Sequence, residues 1–149
     1  MATIHVLLVD DEAEFLEYLK SRLESRGLTV FSAASGLDAL RTVDQQRIDV
    51  VVLDVRMPGI GGLEVLRKTK QKHPLVEVIM LSGNATVESA IDGLKLGAFD
   101  YVTKPCDMSD LLEKINAAYA RKETAEEKIR LARLDRIVRH PMAVFDKEE

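Results

Sequence analysis

Val50-Val51-Val52-Leu53-Asp54-Val55-Arg56-Met57-Pro58-Gly59 is the stretch that decides how this chain folds. Four apolar residues run without alternation, and a carboxylate closes the run. An unbroken Val/Leu segment of this kind fits a strand covered on both faces, as in a parallel sheet flanked by helices. Pro58-Gly59-Ile60-Gly61-Gly62 is a loop by composition. The same design recurs outward from this point. Val6-Leu7-Leu8-Val9 precedes Asp10-Asp11, Val78-Ile79-Met80-Leu81 precedes Ser82, and Tyr101-Val102-Thr103 precedes Lys104-Pro105. Strands are expected over residues 4–10, 28–33, 49–54, 76–82 and 99–103.

Amphipathic stretches lie between the strands. The first carries Phe15, Leu19 and Leu23 on one face and stops at Gly27. The second, about 36–46, carries Leu37, Leu40 and Val43. The third, about 62–73, carries Leu63 and Leu66 and stops at His73-Pro74. The fourth, about 86–96, carries Val87, Ile91 and Leu94 and ends at Gly97. The fifth starts near Ser109 with Leu111, Leu112 and Ile115. Five βα units of this rhythm predict an α/β fold, a doubly wound parallel sheet with helices on both faces.

The helical signal then continues. Residues 121–139 contain neither Gly nor Pro and many good helix formers. Pro141 is the expected stop, followed by the apolar tail Met142-Ala143-Val144-Phe145. The expected organisation is a domain over residues 1–120 and a C-terminal helical extension and tail over 121–149. Within the extension, Lys128, Arg130, Arg133, Arg136 and Arg139 stand against Asp135 alone over residues 128–139.

Composition narrows the function classes. The chain has 149 residues and 46% hydrophobic content, enough for one sizeable core. A net charge of −4 gives no ground for nucleic-acid binding by the domain as a whole. The single cysteine, Cys106, allows no internal disulfide, and a cytoplasmic location fits. The start lacks a basic signal-peptide region, and no apolar stretch has membrane-spanning length. His5, His73 and His140 are scattered and read as isolated surface residues, not as a zinc site.

The carboxyl ends of parallel strands share one sheet edge, where such sheets bind ligands. That edge would gather Asp10, Asp11, Asp54, Ser82 and Lys104. Three close carboxylates repel one another and raise a pKa unless a cation compensates. Mg²⁺ suits one or two carboxylates with waters and phosphate oxygens. An ammonium and a hydroxyl suit the equatorial oxygens of a phosphoryl group, whose transfer is mostly positioning and charge neutralisation. Asp54, alone at the end of the central strand, is the candidate nucleophile for an acyl phosphate. Any one of these residues would pass as a helix cap or a turn. Four such features on four strands would not.

These residues also carry a resemblance. Val9-Asp10-Asp11-Glu12, the stretch from Leu53 to Gly59, Leu81-Ser82-Gly83, Gly97-Ala98-Phe99-Asp100-Tyr101 and Lys104-Pro105 resemble the receiver domain of two-component response regulators over about residues 3–120. The resemblance implies a flavodoxin-like sheet of order 2-1-3-4-5; a chemotaxis receiver exemplifies that order. It implies Asp54 as acceptor of a phosphoryl group from a sensor histidine kinase or phosphotransfer protein. Mg²⁺ would be held by Asp11, Asp54 and the backbone carbonyl of Arg56, with Asp10 acting through water. Lys104 would pair with the phosphoryl group, Ser82 would move to hydrogen-bond it, and Tyr101 would turn inward as the switch aromatic. A cis Lys104–Pro105 bond is implied too. The output would be a shift at the face of helix four, strand five and helix five.

The chain departs from the family pattern at three places. Gly61-Gly62 stands where Asp-Gly is frequent, which implies a looser loop after Asp54. Cys106 stands where a large apolar residue is usual, and reads as a small buried hydrophobe. Arg56 and Asn84 border the pocket at variable positions and are expected to tune acyl-phosphate hydrolysis. The reading is therefore a signalling switch and not a metabolic enzyme. An Asp-nucleophile phosphohydrolase of the haloacid dehalogenase type would need a second Asp at position 56, where Arg56 cannot serve as an acid. The extension leaves no room for a complete DNA-binding domain in this chain. Its output would be protein–protein interaction, with a homodimer through the C-terminal helix as the expected form. The alternatives are the receiver portion of a longer transcriptional regulator, or docking of the basic helix on an acidic partner or anionic surface.

Overall fold

The computed structural model describes residues 3–83 and 86–140. Asn84, the side chain of Val87, Pro141 and the 142–145 tail lie outside the described residues. Five strands, β1 (His5–Val9), β2 (Thr29–Ala33), β3 (Val50–Leu53), β4 (Glu77–Ser82) and β5 (Asp100–Thr103), form one parallel sheet of order β2-β1-β3-β4-β5. Five helices alternate with them: α1 (Ala13–Glu24), α2 (Gly36–Gln45), α3 (Gly62–Lys72), α4 (Val87–Lys95) and α5 (Met108–Arg139). The expected fold class and strand order are therefore present, with each strand shorter than expected by one or two residues.

Strand alternation divides the core in two. Leu7, Val9, Val51, Leu53, Val78 and Met80 face α2 and α3, where Ala39, Val43, Val65 and Leu66 meet them. Val6, Leu8, Val50, Val52, Ile79 and Leu81 face α1 and α5, against Leu16, Leu19, Leu23, Leu111 and Ile115. The unbroken apolar runs arise because both sets are needed.

Some helix faces differ from expectation. Leu37 is 61% exposed, and α2 packs instead through Ala39 and Val43. Ile91 and Leu94 on α4 are 45% and 49% exposed, so α4 covers little of the sheet. Phe15 is half-buried, while Leu16 takes the buried position beside it. The histidines are also less isolated than expected. His73 Nε2 lies 2.8 Å from Asp44 Oδ1, and the His5 ring lies 3.6 Å from Asp49.

The edge of the sheet opposite the strand carboxyl ends carries two buried acids. Asp49 is 0% exposed; it accepts the His5 backbone N–H at 2.9 Å and lies 3.0 Å from Lys122 Nζ. Glu77 is 3% exposed; Arg121 donates to both of its oxygens, and Lys70 lies 3.2 Å away. Arg121 and Lys122 are consecutive on α5, so this turn clamps the helix to β3 and β4. No break separates domain from extension: α5 runs through residue 120 to Arg139, with His140 as C-cap. Beyond Lys122 only Ala125 is half-buried, and every other residue to His140 is exposed.

Candidate phosphorylation site

Strand register positions the acids. Val9 pairs with Leu53, and the Asp54 N–H donates to the Val9 carbonyl at 2.9 Å. Asp10 and Asp54 are therefore neighbours at the ends of adjacent strands. Carboxylate oxygens of Asp10, Asp11 and Asp54 all lie within 4.8 Å of one another. Asp10 and Asp54 are buried and Asp11 is exposed, so the cluster has two fixed walls and one open side. Asp10 Oδ1 accepts the Glu12 N–H at 2.9 Å, and Asp54 Oδ1 accepts the Arg56 N–H at 3.3 Å.

Lys104 enters from the end of β5. Its ammonium donates to Asp10 Oδ2, lies 3.6 Å from Glu12, and sits 4.2 Å from the centre of the Phe15 ring. The Phe15 face adds a cation–π contact. The Lys104–Pro105 bond is cis. Ser82 pairs with Thr103 across β4 and β5, is 2% exposed, and its carbonyl accepts the Lys104 N–H at 2.9 Å.

The electrostatics follow from this packing. Burial pushes the Asp54 carboxyl above its ordinary value, and the charge of Asp10 adds to the rise against the opposing Arg56 N–H and Lys104. Burial works against the Lys104 ammonium, but the bond to Asp10 and the charges of Asp10, Asp54 and Glu12 raise its pKa overall. One ammonium thus serves a crowd of carboxylates. These three carboxylates could hold a metal ion, and an all-oxygen donor set of this count suits a hard divalent cation such as Mg²⁺.

Tyr101 is half-buried on the α4 side of β5. Its hydroxyl lies 3.1 Å from Ser89 Oγ, the serine that reciprocally caps α4 with Thr86. Cys106 is half-buried against the α1/α5 core, as a small apolar residue would be. Sequence reasoning missed Gly62. A Cβ there would meet the Asp54 carbonyl at 2.3 Å and Val55 Cα at 2.7 Å, and the Gly62 N–H donates to the Val55 carbonyl at 3.0 Å. The glycine allows the loop to press onto the Asp54 backbone; it does not slacken it. The only hint was the Gly-Gly pair itself.

The chain is similar to known proteins over most of its length. Residues 6–116 match the family model described as the response regulator receiver domain. The transcriptional regulatory protein YkoG of Bacillus subtilis is 36% identical over 125 residues, 84% of this chain and 55% of YkoG. The regulatory protein VanR of Enterococcus faecium is 36% identical over 116 residues, 78% of this chain and 50% of VanR. A response regulator receiver domain from Clostridium thermocellum superposes with a TM-score of 0.77 at 38% identity, covering 82% of this chain and 98% of that one. The chain spans about half the length of these two curated relatives.

Proposed function

The chain belongs to the response regulator receiver family, and on that premise we propose that it is a phosphorylation-controlled switch with Asp54 as phosphoacceptor. The carrying observation is the meeting of Asp10, Asp11 and Asp54 within 4.8 Å beside the Lys104 ammonium. An Asp54 oxygen attacks the phosphorus of a phosphohistidine on a sensor kinase or phosphotransfer protein, and the histidine nitrogen leaves with the bonding pair. Asp11, Asp54 and the backbone carbonyl of Arg56 would hold Mg²⁺, with Asp10 acting through water. The ion supplies positive charge to the phosphoryl oxygens.

The new phosphoryl group then competes for Lys104, which here is bonded to Asp10. Ser82 donates to the same group. Tyr101 turns inward, and doing so breaks its contact with Ser89 at the start of α4. The shift is read at the face of α4, β5 and α5, where Ile91 and Leu94 are already exposed. The domain acts as a signalling module in the cytoplasm, with residues 1–120 as receiver and 121–149 as extension. It dimerises through the extension.

A second reading concerns what carries the output. The relatives are transcriptional regulators about twice the matched length, which favours a receiver working within a longer regulator. Incubation with acetyl phosphate and Mg²⁺ tests the core proposal. One phosphoryl adduct per chain is expected by intact mass, lost in Asp54→Asn. Rapid turnover of small phosphoesters, or an adduct that survives Asp54→Asn, would overturn it.

A further inference from the structure

A groove of about 580 Å³ runs along the outer side of β5 and α5. β5 is the edge strand of the sheet, so no further strand covers it. The groove has apolar walls, including Phe99, Val102, Pro105 and Ala117, and an acidic rim that includes Asp107, Asp110 and Glu113. Asp107 caps α5, and Asp100 is paired with Lys114 at 2.6 Å. Asp110 and Glu113 make no hydrogen bond or ion pair among the described residues.

The far end of α5 is the complement of that groove. Leu131, Leu134 and Val138 recur at i, i+3 and i+7 on one side of the helix, 53%, 44% and 80% exposed. Lys128 and Arg133, in the same segment, have no carboxylate partner among the described residues. Counting back from Leu131 by the same heptad leads through Glu127, which is ion-paired with Arg130 of its own helix, then Thr124, Ala120 and Ala117 to Glu113 and Asp110, all exposed. One continuous stripe is therefore acidic at the receiver end, small in the middle, and apolar with cationic flanks at the tip.

We propose that the groove receives residues 128–139 of a second copy, with the two α5 helices antiparallel. This rests on the dimer reading above and specifies its geometry. A two-fold axis perpendicular to α5 makes such a stripe self-complementary, because each tip meets the other copy's acidic end. Parallel pairing would instead set Asp110, Glu113 and Glu127 each against its own copy. The lengths agree: residues 128–139 span about 18 Å and residues 107–117 about 16 Å at 1.5 Å per residue. From residue 117 to residue 124 the stripe has only Ala and Thr, which lets two helices approach closely.

Two single-cysteine variants of the full chain, Ala117→Cys and Leu131→Cys in a Cys106→Ser background, test the geometry. They are mixed, with and without acetyl phosphate and Mg²⁺, and treated with a bismaleimide of about 10 Å reach. Within one helix these positions lie about 21 Å apart, so only two copies can join them. The expected result is a dimer by sedimentation and a 117–131 heterolink that dominates both homolinks and weakens with added salt. A dimer giving mainly 131–131 links keeps the dimer reading and overturns the antiparallel groove. A monomer at high concentration in both phosphorylation states overturns both. Retained acetyl-phosphate labelling at Asp54 verifies that each variant is folded.

Discussion

Lys122→Met should be among the most damaging single substitutions outside the candidate site, although it lies at the opposite edge of the sheet. Asp49 has no exposure, and Lys122 Nζ stands 3.0 Å from its Oδ1. Removing the ammonium leaves a buried carboxylate with the His5 backbone N–H at 2.9 Å. The other neighbours are the His5 ring at 3.6 Å and Arg47 at 3.7 Å. Breaking one side of a buried pair costs about 3–5 kcal/mol. Arg47 is 65% exposed at its side chain, so water screens its help, although some compensation remains. The expected loss is therefore at the low end, about 3 kcal/mol. At roughly 2–4 °C per kcal/mol for a chain of this size, Tm falls by about 6–12 °C. Urea melts of wild type, Lys122→Met, Asp49→Asn and the double variant would measure it. Neutralising both partners should recover most of the loss, leaving the double variant within about 1 kcal/mol of wild type. A Lys122→Met protein within about 0.5 kcal/mol of wild type would refute the reasoning, because Asp49 would then be satisfied some other way.

Other outcomes follow from the same coordinates. Asp54→Asn should melt above wild type at pH 7 without Mg²⁺, since burial and Asp10 disfavour the ionised carboxyl. A carboxyl whose folded pKa is raised loses stability as pH rises from its ordinary value through the folded one. The gap between variant and wild type should therefore close as pH falls toward the ordinary carboxylate range. Mg²⁺ at ten times its Kd should stabilise wild type by about 1.4 kcal/mol and the variant by less, as read by melts against ion concentration. Gly62→Ala should cost roughly 1–3 kcal/mol and slow acetyl-phosphate labelling, because its Cβ would meet backbone atoms of Asp54 and Val55 that cannot rotate away. Cys106 should alkylate several-fold more slowly at pH 8 in the folded protein than in urea, since burial pushes its thiol pKa up.

The strands and the acid pocket were legible because their signals are local. Each strand is a run of unbroken apolar residues, and each site residue terminates one. Parallel order then brings Asp10 beside Asp54 without further information. The clamp at the other edge was not legible. Asp49 and Glu77 sit immediately before apolar runs and look like ordinary strand-flanking charges. Their partners Arg121 and Lys122 lie 44 or more residues away, in what read as the start of the C-terminal helical extension. Helix faces were misjudged where periodicity outran packing. Leu37, Ile91 and Leu94 have helical spacing, yet α2 leans through smaller residues and α4 covers little of the sheet.

The unbroken α5 has a mechanical consequence. From Lys122, the last buried position of α5, to Arg139 the helix runs about 26 Å. A tilt of about 5° at that base would sweep the tip through roughly 2 Å over this length. The projecting arm thus amplifies angle into travel, and a slight rocking of α5 becomes a displacement large enough to change which surface the tip can reach.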